Sequence, residues 1–262
     1  MCVLLYTIDV TQRGKVMTDR KPLIIVAVVS AVMTTILYAG GMFYVSGFLP
    51  PPSPALSQLE VVSFYQQNHT TIITGLTMAF VGTGFMLPLC VIGSVFMAEV
   101  EEGFPYFSVM QALCALATVI FTALPNFIWM TAAFRVDRSP ELINLLHDLG
   151  WIMWATPSWG FAFQLICVAV VGLRDKRLKP FIPRWMSYLA LWVAVGVAPT
   201  PLVPFFVEAG PFAWNGLFTF WVAFFSPILW IAILFVLIVI NIRNNQEDNN
   251  QDNNQDRLVG NQ

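Results

Sequence analysis

Residues 70–98 read TTIITGLTMAFVGTGFMLPLCVIGSVFMA, without one Asp, Glu, Lys or Arg. A helix needs about 20 mostly apolar residues to cross the ~30 Å hydrocarbon of a bilayer. Within hydrocarbon every backbone amide must find its partner inside the protein, so an isolated apolar run of this length crosses as a helix. The period-2 alternation over ten-residue segments that marks a membrane β-barrel is absent.

Five further stretches share this character, at about 23–47, 105–133, 149–173, 185–207 and 215–242. With 70–97 they predict an all-α membrane protein, a six-helix transmembrane bundle over residues 22–243. Composition agrees: of 262 residues, 57% are hydrophobic and 11% charged, where a soluble domain carries about 25% charged residues. A formal net charge of −2 supplies no basic field for nucleic acid. A cytosolic enzyme, a disordered chain and a nucleic-acid binder are thereby excluded. The bilayer is the first expected partner.

Basic residues orient the bundle. With the N-terminus cytoplasmic, that side holds Arg13, Lys15, Arg20, Lys21, Arg174, Lys176, Arg177, Lys179, Arg184, Arg243 and Arg257, and the other side only Arg135 and Arg138. The positive-inside rule then gives N-in and C-in. Residues 1–21 form a cytoplasmic segment, of which 1–16 read as an extension ahead of a more typical start at Met17. The apolar run of the first span is too long for the 7–15 residues usual in a signal peptide, so it reads as an uncleaved anchor. Residues 244–262 are almost wholly Asn, Gln, Asp and Glu. They cannot bury enough apolar surface to offset ordering and read as a disordered tail.

Chemistry must come from the few polar groups near the spans. His69 and His147 both fall near the outer surface; they read as interfacial histidines or as ligands of a haem or metal. Asn68-His69-Thr70 also matches a glycosylation sequon. Ser139, Pro140 and Glu141 open a short helix between spans 3 and 4. Leu142, Leu145, Leu146 and Leu149 share one face of it, and Glu141, Asn144 and Asp148 another. It either rests on headgroups or caps a cavity. Gln111 and Gln164 suit helix-to-helix hydrogen bonds. Asn126 follows Pro125 and stands beside the carbonyl that the proline frees. Pro199, Pro201 and Pro204 break span 5, which ends as a kinked helix or as a discontinuous segment lining a site. Pro88, Pro157 and Pro227 bend spans 2, 4 and 6. Cys90, Cys114 and Cys167 read as small buried groups rather than a thiol layer, and Cys2 as cytoplasmic.

Together these place a candidate site at the outer ends of spans 2, 3 and 4. His69 is the candidate proton-transfer group, with Asp148 orienting it. Asn126, Trp129, Arg135, Glu141, Trp151, Glu208, Trp214 and Asn215 are the candidate ligand-binding residues, the tryptophans as apolar walls. Tyr65, Trp154 and Trp159 gather at the same boundary, where an aromatic belt is the alternative reading. No metal or cofactor is expected from the spacing of Cys and His.

Leu87-Pro88-Leu89, the stretch from Phe134 to Arg138, Ile182-Pro183-Arg184-Trp185 and the run from Gly210 to Gly216 together resemble an uncharacterised group of bacterial integral membrane proteins. The similarity runs from about residue 60 to 225. It implies a bacterial inner membrane and no particular chemistry.

No Walker loop, dinucleotide fingerprint, Gly-x-Ser-x-Gly elbow or His-Glu-x-x-His occurs. No span carries a central Asp or Glu, which argues against a proton-driven pump. What remains is an accessory or binding and transport module with an outer-leaflet cavity for a small apolar or amphiphilic ligand, with membrane-protein partners in the accessory case. The alternative is a membrane-embedded enzyme acting on a lipid-like or isoprenoid substrate.

Overall fold

The computed structural model describes residues 21–177, 180, 182–223, 225, 228 and 229. These are helical, with no strand among them. Five helical stretches are long and apolar enough to cross a membrane: Pro22–Val45, Gln58–Ala98, Tyr106–Phe134, Pro140–Arg174 and Arg184–Phe205. Of the expected sixth span only the beginning is described, a π-helical turn at Leu217–Val222. The rest of that span, the first twenty residues and the polar tail lie outside the described residues.

Helix α1 (Lys21–Met33) passes directly into a π-helical segment, Thr34–Val45. Three glycines let this segment lie against α2 (Gln58–Gly84). A Cβ on Gly41 would stand 2.8 Å from the Ala79 nitrogen, and one on Gly75 2.9 Å from the Ser46 Cβ. A Cβ on Gly82 would meet the Tyr38 backbone at 2.9 Å. The chains touch backbone to backbone, closer than any other residue permits.

Hydropathy puts the start of span 2 at residue 70, yet α2 begins twelve residues earlier. A capping box sets its start: the Ser57 N–H donates to Glu60 Oε2 at 2.8 Å, and the Ser57 hydroxyl accepts from the Glu60 N–H at 3.4 Å. Such reciprocal bonds satisfy two of the four orphan amides of a helix start. Pro88 then denies the Gly84 carbonyl its usual donor, and the helix is broken at Phe85 before α3 (Met86–Ala98). At 1.5 Å per residue α2 and α3 add up to about 60 Å, twice the hydrocarbon thickness. The excess at the α2 start carries the exposed Gln66, Gln67, His69 and Thr70.

Helix α4 (Tyr106–Phe134) packs on α2, α3 and the next two helices, and so forms the spine of the bundle. The stretch Pro140–Arg174 is two helices, α5 (Pro140–Ala155) and α6 (Trp159–Arg174), parted at Pro157. Helix α7 (Arg184–Val197) gives way to a 3₁₀ segment, Thr200–Phe205, which holds Pro201 and Pro204 and is preceded by Pro199.

Among the described residues two larger apolar cores result, beside a small one of Ala27, Ile92 and Phe96. One gathers Met42, Phe48, Tyr65, Trp129, Trp151 and Phe220; the other holds Met97, Leu165, Met186 and Val193. Between them the span amides bond helix to helix, as their positions suggested. Gln111 accepts from Ser94 and donates to Gln164 Oε1 at 3.5 Å, and Gln164 donates to the Thr118 hydroxyl at 2.8 Å. Beyond the second core, Arg177 clasps Asp175 through Nε and Nη2 at 2.6–3.1 Å and reaches Glu99 at 3.6 Å. The Asp175 hydrogen bonds raise the guanidinium pKa above its ordinary value. Residues 99–105 and 175–177 thus lie at one end of the bundle, away from the loop at 135–139.

Candidate functional site

The first of these cores is organised by α5. Its start agrees with the sequence: Pro140 opens the helix and the Ser139 carbonyl accepts from Leu142 and Ile143. The Ser139 side chain makes no capping bond. The expected leucine face is real but does not pack inward, since Leu142, Leu145 and Leu149 are 51%, 60% and 42% exposed. The buried face is a third one, formed by Ile143, His147, Gly150 and Trp151. His147 and Trp151 are i and i+4, so they stand one above the other on that face.

Around them the chain collects aromatic rings. Trp151 lies 4.9 Å from Trp129, 5.4 Å from Phe48 and 5.8 Å from Trp154, by ring centroids. Trp214 stacks at 6.4 Å from Trp151 and stands 6.2 Å from His147. These rings bring their own hydrogen bonds. Trp129 Nε1 donates to the His147 carbonyl at 3.3 Å, Trp214 Nε1 to the Pro52 carbonyl at 2.8 Å, and Trp154 Nε1 to the Tyr38 hydroxyl at 2.8 Å. Gly150 is required here, because a Cβ would stand 2.6 Å from atoms of the Trp129 ring.

His147 is fully buried. Its Nδ1 is 3.1 Å from the buried Tyr65 hydroxyl on α2. A phenol donating to Nδ1 places the ring proton on Nε2. Among the described residues that Nε2 has no partner, and neither does Trp151 Nε1. The two rings are 6.3 Å apart. Trp151 Nε1–H and, in the tautomer that accepts from Tyr65, His147 Nε2–H thus face an aromatic interior one turn apart, with no acceptor among the described residues. Buried polar groups are nearly always paired, so such a pair is a departure to be explained.

Of the sequence-nominated residues the structure brings together Trp129, Trp151 and Trp214, with Asp148 at the edge. Asp148 is half-buried and accepts from Asn144 Nδ2 at 3.4 Å. It does not meet His69. That histidine is exposed, and its ring nitrogens bond the Gln66 carbonyl at 3.5 Å and the Thr70 hydroxyl at 3.1 Å. Asn126 is buried on α4 and donates to the Thr122 carbonyl at 3.1 Å. Glu141 and Glu208 are exposed, and Asn215 is partly so. Arg135 is exposed with its guanidinium over the Phe134 ring, and among the described residues it pairs with neither Asp137 nor Glu141.

Phe48 and the burial of His147 were not read from the sequence as parts of a site, and Tyr65 was read only as one of the aromatics at the boundary, in a belt or a pocket wall. The signal for His147 was present, in the Ile143, His147, Trp151 spacing with Gly150 beside it. The leucines of the same helix gave a stronger apolar face and masked it. Among the described residues no group of three His, Cys, Asp or Glu is placed to hold a metal ion. Comparison with known proteins finds no matching family model, no matching curated protein and no matching solved structure.

Proposed function

We propose that this is a six-span, N-in and C-in protein of a bacterial inner membrane that binds a small, largely apolar molecule at the outer ends of its helices. The carrying observation is the pair of unpartnered nitrogens, His147 Nε2 and Trp151 Nε1, set among Trp129, Trp214 and Phe48. Binding pockets commonly combine apolar and aromatic walls with a few placed polar groups. Two donors with a neutral ring between Tyr65 and the interior call for a neutral acceptor, a carbonyl or ether oxygen. The exposed leucines of α5 fit a helix lying at the lipid boundary, beside which an apolar ligand would arrive. The resemblance of residues 60–225 to bacterial integral membrane proteins supports the choice of membrane.

Benzophenone is a suitable probe, with diphenylmethane as its hydrocarbon counterpart lacking the acceptor. Benzophenone is expected to raise the melting midpoint of the purified protein in detergent, and diphenylmethane much less. Trp151→Phe keeps the apolar bulk but deletes the donor, and should weaken the benzophenone response about tenfold in concentration, roughly the 1–2 kcal/mol of one hydrogen bond. Equal responses to both probes, or no response to either, would defeat the reading. An imidazole with a free nitrogen also suits proton transfer, so an enzyme acting on a lipid-like substrate is the second reading. Chemical turnover, rather than stabilisation alone, distinguishes it.

Topology is testable separately. In a cysteine-free background, Lys176→Cys should be protected from impermeant thiol reagents in intact cells, and Ser139→Cys should be labelled. The reverse pattern would invert the orientation and move the aromatic core to the cytoplasmic side.

A further inference from the structure

We propose that the paired helix breaks at residues 156–158 and 198–200, with Asn126 about one helical turn away along α4, form a sodium-ion site. The inference is independent of the aromatic site above. Three side-chain oxygens are buried there without a partner among the described residues: Asn126 Oδ1, Thr156 Oγ1 and Thr200 Oγ1. Asn126 is fully enclosed and Thr200 nearly so.

Close contacts bring the three elements near one level. A Cβ on Gly150 would meet the Trp129 ring, and one on Gly160 would stand 3.1 Å from the Cys114 carbonyl and 3.0 Å from the Thr118 hydroxyl. Helices α5 and α6 therefore run antiparallel along one face of α4. Thr118, Thr122, Asn126 and Trp129 share that face, at i, i+4, i+8 and i+11. Interpolating the register sets Thr122 opposite about residue 155 and Asn126 opposite about residue 152, one helical turn from Thr156. The Ser158 hydroxyl donates to the Val197 carbonyl at 3.0 Å, which brings the end of α7 beside the α5–α6 break. Thr200 follows three residues later in the 3₁₀ segment, which touches α5.

The donor set selects the ligand. All three groups are neutral hard oxygens, one amide carbonyl and two hydroxyls. Prolines add backbone acceptors: Pro125 and Pro157 supply no N–H to the carbonyls of Phe121 and Met153. Helices α5 and α7 both end here, presenting the negative ends of their dipoles. No Asp, Glu, Lys, Arg or His occurs in 118–129, 150–160 or 195–204. Oxygen-only ligation suits a hard cation, and without a carboxylate to offset a second charge the fitting ion is monovalent. Broken helices whose unwound carbonyls and C-terminal ends coordinate sodium are a known membrane solution to the same problem. A buried water is the competing occupant.

The test is thermal unfolding of the full chain in detergent at constant ionic strength, with NaCl, KCl or choline chloride. The expected result is a saturable rise of roughly 5 °C in NaCl over choline, with KCl giving less. Thr156→Val and Thr200→Val should each abolish the sodium-dependent rise while melting in choline no lower than the parent, since each removes only an unpaired hydroxyl. Thr156→Ser and Thr200→Ser should retain it. Identical midpoints in all three salts would overturn the proposal and leave water as the occupant. A sodium response that survives both valine variants would also overturn it.

Discussion

Gly75→Ala is expected to lower the melting midpoint by roughly 10 °C, and Gly75→Val to leave little folded protein. The added Cβ would fall against the Gly41 carbonyl oxygen and the Ser46 nitrogen, and 2.9 Å from the Ser46 Cβ. Overpacking costs about 1–3 kcal/mol where side chains can yield. Here the obstacles are backbone, so about 3 kcal/mol or more is expected for one methyl group. At roughly 2–4 °C per kcal/mol for a chain of this size, that gives the stated shift. Glycine to alanine in a helix ordinarily stabilises by up to about 1 kcal/mol, so the sign itself is diagnostic. Gly84 ends the same helix with nothing within 4 Å of its Cβ position. Gly84→Ala should therefore match the parent or melt slightly higher. Parental melting of Gly75→Ala would show that the π-helical segment does not approach α2 as closely as described.

That approach was not legible in the sequence, and the reason is physical. A charge-free run of sufficient length reveals that a segment crosses, because the cost of charge in hydrocarbon is paid residue by residue. It says nothing of what lies beyond the hydrocarbon. Helix α2 could start at Gln58 rather than residue 70 because the Ser57–Glu60 box, not hydropathy, sets its beginning. Span 4 likewise opens as α5 at Pro140, with the break at Pro157 rather than a start at 149. A helix start at Ser139 and Pro140 was expected and α5 begins there, as the opening of the fourth stretch rather than as a separate helix before it; its rotation was not foreseen. Periodicity reports an apolar face without saying whether protein or lipid covers it. In α5 the leucines stay exposed, and the face with the polar imidazole is the one that packs. The tryptophans were nominated correctly as neighbours because all three sit near one depth. His69 and His147 were equivalent by depth. Only tertiary packing, through Tyr65 and Trp214, separates them.

His147→Ala should therefore destabilise strongly and His69→Ala hardly at all. Losing the imidazole empties a space walled by Tyr65, Trp151 and Trp214 and strands the buried Tyr65 hydroxyl, which has no other hydrogen bond among the described residues. An unpaired buried hydroxyl costs about 1–3 kcal/mol, and large-to-small changes in a core add about 2–5 kcal/mol. Partial relaxation brings the expected total to about 3–5 kcal/mol, a fall of roughly 10 °C or more in melting midpoint. His69 is exposed and bonds only its own helix, so His69→Ala should stay within about 0.5 kcal/mol. Tyr65→Phe should cost about 1–2 kcal/mol by leaving Nδ1 unpaired. Combining it with His147→Ala should cost less than the sum, because the two residues share one hydrogen bond. Thermal melts of the four variants in one detergent decide the matter. If His69→Ala melts low while His147→Ala melts with the parent, the buried imidazole is not where the fold puts it. The binding site would then have to be rebuilt around His69 at the water-facing end of α2.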